Sequence, residues 1–123
     1  MAAGEQYSHL RSLRGTMWPF CSWISADRLL GLLAQTMGNL DKAAEHFEDA
    51  LAFCRKAGYR PELAWCCCDY ADALLARARQ AAPLPGNRAK AMALLDEALA
   101  ISRELGMRPL MERVLSRREI LTA

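Results

Sequence analysis

The residues best equipped for chemistry in this 123-residue chain are its five cysteines, Cys21, Cys54, Cys66, Cys67 and Cys68. Thiolates bind zinc and attack electrophiles, so three adjacent cysteines invite a metal or thiol site built on Cys66–Cys68 together with Cys54. Adjacent helical residues point about 100° apart, however, so the triplet cannot close a tetrahedral site by itself. The chain has no C-x-x-C pair, and its cysteine count is odd. Small, easily buried side chains in a reducing compartment account for the five more simply, with the thiol or metal site kept as an alternative. His9 and His46 are the only histidines. His46 stands beside Phe47, off the small-residue face described below, and is expected at the surface. The phosphate-loop, dinucleotide, zinc-protease and nucleophile-elbow motifs are all missing from the sequence. The expectation is a non-enzymatic chain with no catalytic residue, no cofactor and no metal.

A second constellation is polar. Glu62, Trp65, Asp69 and Asp72 recur at i, i+3, i+7 and i+10 and so share one face of a helix. Arg113, Arg117 and Arg118 cluster near the C-terminus, partly offset by Glu112 and Glu119, which reads as a solvated helix face rather than a phosphate site. Over the whole chain, 16 basic and 14 acidic residues are interspersed and leave a net charge of +2. Nucleic-acid binding needs a clustered basic surplus, so no nucleic-acid partner is expected. No uncharged stretch exceeds twelve residues, and one of that length, Gly15–Ala26, contains Pro19. A membrane-spanning helix needs about 18 or more. No basic region followed by an apolar core opens the chain, so it is expected to be cytoplasmic, without a membrane partner.

The elements that position these residues are helices. Twenty-two alanines and 19 leucines dominate, against one valine, three isoleucines and three threonines. Ala and Leu lose little entropy in a helix, whereas a buried sheet favours β-branched residues. A single all-α domain follows, and folds with a central sheet are excluded.

Residues 42–61 (KAAEHFEDALAFCRKAGYRP) and 90–109 (KAMALLDEALAISRELGMRP) repeat each other at an offset of 48, with nine of twenty positions identical. Ala43, Phe47, Ala50, Leu51 and Cys54 share a helical face, as do Ala91, Leu95, Ala98, Leu99 and Ser102. Gly58 and Gly106 suit the left-handed position beyond a helix end, and Pro61 and Pro109 suit the first turn of the next helix. A partner helix precedes each unit, with Leu30, Gly31, Ala34 and Met37 on one face, then Ala64, Cys67, Cys68, Ala71 and Leu74 on the next. The predicted organisation is a partial helix over 5–14, an extended aromatic segment over 16–24, a first repeat over 26–58 and a second over 61–106. The second contains a long internal loop over 79–87. A capping helix over 109–121 presents Glu112, Ser116 and Glu119 where a further repeat would pack.

Leu30, Gly31, Ala34, Gly38, Ala43, Phe47 and Ala50 stand at the spacing of the tetratricopeptide repeat, which the chain resembles; Asp27 replaces the aromatic of its first signature position. The strings DRLLGLLAQTMGNLDKAAEHFEDALAF, DYADALLAR and AMALLDEALAISRELGMRP are also similar to the C-terminal repeats of bacterial signal-transduction ATPases. Those regulators carry cyclase-like or LuxR-type (maltose-regulator-like) domains. The resemblance implies antiparallel helix hairpins stacked as a short right-handed α-solenoid that serves as a protein–protein interaction or scaffold module. It further implies a concave partner-binding face carried by Arg28, Leu32 and Gln35 from one helix and Glu62, Trp65, Asp69 and Asp72 from the next. Arg113 and Arg117 complete it from the last. Such a groove suits a charged peptide anchored on Trp65, or a neighbouring domain of a larger regulator. The plainer reading is that Asp69 and Asp72 pair with Arg28 or Arg113 across neighbouring helices. A third possibility is a homodimer formed through a patch of Trp18, Phe20 and Trp23.

Overall fold

The computed structural model describes residues 2–20, 22–80 and 85–122. Among them lie six α-helices: α1 (Ala2–Leu10), α2 (Ala26–Thr36), α3 (Leu40–Ala57), α4 (Arg60–Gln80), α5 (Pro85–Leu105) and α6 (Arg108–Thr122). Each helix packs on the one before it, and α4 also reaches back to α2. The fold is all-α, a run of stacked helix hairpins.

The turns repeat along with the helices. Gly38, Gly58 and Gly106 take φ values of 81°, 76° and 68°. After each glycine, the next amide donates back five residues, Asn39 to Ala34 O at 2.9 Å, Tyr59 to Cys54 O at 3.0 Å and Met107 to Ser102 O at 2.8 Å. Only a residue without Cβ adopts this left-handed cap cheaply, so glycine sets the sharp stop that lets the next helix fold back. Pro61 and Pro109 then fall in the first turns of α4 and α6, where no amide hydrogen is missed.

Small residues bring the helices together, as the repeat spacing requires. Ala34, Ala43, Ala50, Ala64, Ala71, Ala91 and Ala98 are all fully buried. Phe47 is buried between Gly31 and the ring of Tyr70, on which it stacks at a centroid distance of 5.6 Å. A Cβ on Gly31 would lie 2.9 Å from the Phe47 ring, so this glycine is there for close approach and not for backbone freedom.

Helix α4 runs through the middle of the stack and is covered on several sides at once, which explains the cysteine triplet. Cys66, Cys67 and Cys68 point in three directions, and all are buried. Cys54 and the triplet carry free thiols. The hydrogen bond shared with Cys54, and then burial, hold the Cys66 thiol well above its ordinary range. Burial likewise pushes Cys67 up, and pushes Cys68 up to about 11. The three thiols of the triplet stay protonated and serve as packing atoms, and Cys54, whose pKa the hydrogen bond with Cys66 lowers, is buried beside them.

Three expectations need correction, and a fourth gains detail: the extended segment after α1 doubles back on itself. After a 3-10 turn (Arg11–Leu13), β1 (Met17–Phe20) and β2 (Ser22–Ser25) form an antiparallel hairpin, Met17 opposite Ser25 and Pro19 opposite Trp23. Proline is tolerated because each strand of a two-stranded hairpin has an open edge, where no amide hydrogen is required. The partial helix ends at Leu10 and not at residue 14. Of the loop placed at 79–87, Arg79 and Gln80 belong to α4 and Pro85, Gly86 and Asn87 to α5, Pro85 being suited to a first helical position, while residues 81–84 lie outside the described residues. Finally, His46 is not exposed: it retains 5% of its accessible surface because α1 lies over it. The side chains of Trp18, Phe20 and Trp23 lie outside the described residues.

Candidate functional site

Helices α2, α4 and α6 contribute one continuous chain of alternating charges. Ser25, the N-cap of α2, places its buried amide 2.6 Å from Glu62 Oε2 of α4. One turn on, Arg28 donates from Nε to the same oxygen at 2.8 Å and from Nη1 to Asp69 Oδ2 at 2.7 Å. Arg113 Nη2 reaches Asp69 Oδ1 at 3.2 Å and Asp72 Oδ2 at 2.8 Å, and Arg117 Nε reaches Asp72 Oδ1 at 2.8 Å. The order is thus Glu62, Arg28, Asp69, Arg113, Asp72, Arg117, spanning three helices.

Trp65 lies amid this chain, with the guanidinium carbons of Arg28 and Arg113 6.0 and 5.9 Å from its ring centroid. Both contacts fall within the range of cation–π attraction. Burial disfavours the charge of Arg28, but Glu62 and Asp69 more than offset that and hold its pKa above the ordinary value. Arg113 follows the same balance, raised by Asp72 and Asp69 against the cost of burial.

Exposure within the chain is uneven. The acids are sunk, with Glu62, Asp69 and Asp72 side chains 4%, 3% and 18% exposed, whereas Arg113 and Arg117 are 37% and 36% exposed. Both carboxylate oxygens of Asp69 and of Asp72 already accept a guanidinium N–H. A guanidinium carries five donors, so unused N–H groups remain on the arginines. Beside them opens a cleft of about 400 Å³ lined by Leu32, Gln35, Thr36, Asp69, Asp72 and Arg113.

All nine residues singled out from the sequence for this face therefore fall on α2, α4 and α6. Seven join the charge chain or its tryptophan, while Leu32 and Gln35 line the cleft. The cross-helix pairing of Asp69 and Asp72 with Arg28 and Arg113 is present. The backbone link from Ser25 to Glu62 went unread in the sequence, as did a part-buried Tyr7–His46 contact between α1 and α3. Asp27 is more instructive. Replacing the signature aromatic, it is buried in the first turn of α2 and accepts the Gly15 amide at 2.9 Å, so it ties the approach to the hairpin onto the helix. Burial, only partly relieved by that amide, holds its carboxyl above the usual range. Among the described residues no group of three or more His, Cys, Asp or Glu side chains is placed to hold a metal ion. No described helix is long and apolar enough to cross a membrane.

Comparison with known families agrees with this architecture. Residues 29–57, covering most of α2 and all of α3, match the tetratricopeptide repeat model. The fold is that of a tetratricopeptide-like helical repeat, a class whose members are in general protein-interaction units. No curated protein and no solved structure matches the chain.

Proposed function

We propose that this chain is a non-catalytic interaction module whose α2–α4–α6 face receives an extended, acidic segment of a protein partner, with Trp65 as its apolar anchor. The observation that carries this reading is the uneven burial along the charge chain. The carboxylates are sunk, with both oxygens of Asp69 and of Asp72 engaged, while Arg113 and Arg117 remain a third exposed, so the surface offers donors more than acceptors. A neighbouring domain of the same protein would serve as well as a separate partner. The family resemblance supports placing the repeat in, or near, a larger bacterial signalling regulator of the cytoplasm, and the sequence of the flanking coding region tests that context.

The face itself is tested by fluorescence anisotropy with labelled decapeptides of matched length, one series rich in Asp and Glu and the other in Lys and Arg. Acidic peptides should bind in preference, and Arg117→Glu should weaken them by roughly tenfold or more while leaving the helical circular dichroism unchanged. Equal binding of both series, or acidic binding indifferent to Arg117→Glu, refutes the proposal.

A further inference from the structure

We infer that α1 is held to the body of the fold by an acid-sensitive latch, the part-buried hydrogen bond between Tyr7 and His46, which releases the helix under mildly acid conditions. Tyr7 Oη lies 2.7 Å from His46 Nε2, and the two rings meet edge-on at a centroid distance of 5.4 Å. His46 is 95% buried, and its Nδ1 finds no partner among the described residues. Apart from this bond, Leu10 is the one fully covered residue of α1, and the Tyr7 ring packs partly buried against the core. A helix of nine residues with so little apolar anchorage has no stability of its own, so the latch is a large share of what docks it.

Protonation acts directly on this geometry. In the tautomer that donates Nε2–H to the Tyr7 hydroxyl, the neutral ring leaves only a bare lone pair at Nδ1. The imidazolium carries a proton on both nitrogens, which leaves an Nδ1–H buried without an acceptor among the described residues. The groups facing the ring work in both directions. Asp27 from α2 and Asp49 from α3 favour the cation, whereas Arg14 from the segment before the hairpin and Lys42 from α3 oppose it. Burial outweighs them all and lowers the pKa of the docked ring below its ordinary 6.5. The undocked state therefore binds the extra proton first, and docking weakens as pH falls below about 6.5 until the docked ring itself titrates. Asp27, whose carboxyl is raised, pushes the opposite way nearer the carboxylate range, which sets pH 5 as the sensible lower limit of the test.

Hydrogen exchange on the full chain between pH 7 and pH 5, corrected for the intrinsic rate at each pH, reads this out. The opening constant of the α1 amides should rise by up to roughly 25-fold at pH 5, the ceiling for a free imidazole near 6.5, while α3 and α4 keep their protection. His46→Gln should abolish the rise. An NMR titration of the His46 ring in the unaltered chain gives an independent reading, with the midpoint expected below 6.5. A flat α1 profile in the unaltered chain, an equal rise in His46→Gln, or a ring midpoint at or above 6.5 would each overturn the inference.

Discussion

Asp69 illustrates how much a single side chain can carry here. It is 3% exposed and accepts from Arg28 on one helix and Arg113 on another, so it joins α2 to α6 through α4. Removing one member of a buried network leaves the others desolvated and unpaired, so Asp69→Ala should cost about 3 kcal/mol in urea unfolding. The Arg60–Glu104 pair, 48% and 60% exposed, is the matched contrast, and Arg60→Ala should cost less than about 1 kcal/mol. The spacing of Glu62, Trp65, Asp69 and Asp72 placed them on one face from the sequence alone, because helical periodicity needs no tertiary information. It did not distinguish a sunken carboxylate from a solvated one. His46 shows the converse failure. Its position beside the small-residue face suggested water, but a helix from 39 residues earlier in the chain covers it.

At the scale of the elements, each turn of the repeat is governed by the sign of one φ angle. Gly58→Ala and Gly106→Ala each force an L-residue into the left-handed region, and each should lower stability by about 1 kcal/mol in thermal or chemical unfolding. Gly86 provides the control. It sits in the first turn of α5 with open space around it, so Gly86→Ala should be neutral or stabilising by a few tenths of a kcal/mol. The same locality explains why the helix ends at Gly58 and Gly106 were readable, whereas the last turn of α4 and the first of α5 were assigned to a loop. A glycine cap has one conformational meaning. A proline is compatible with a loop and equally with the first turn of a helix, and Pro85 takes the second option.

The whole molecule is organised around α4, which meets α2 and α3 on one side and α5 on another. Its central position converts Cys66, Cys67 and Cys68 from a reactive-looking motif into three faces of a packed helix. Cys54 and these three thiols should be silent to a thiol reagent in the native chain and react only as fast as the whole fold opens, in a colourimetric titration with and without denaturant. Rapid native modification of any of the four would contradict the packing role. The sequence by itself determined the helical class, the 48-residue repeat, the glycine stops and the alanine positions where helices approach. Each of these is a property of residue type within about one helical turn, or of a spacing that repeats. The tertiary structure alone decided which groups end up dry: that Glu62 takes a backbone amide from Ser25, that Asp27 ties down Gly15, and that Tyr7 closes over His46. Burial depends on which distant segment arrives to exclude water, and no local pattern of residues records that arrival.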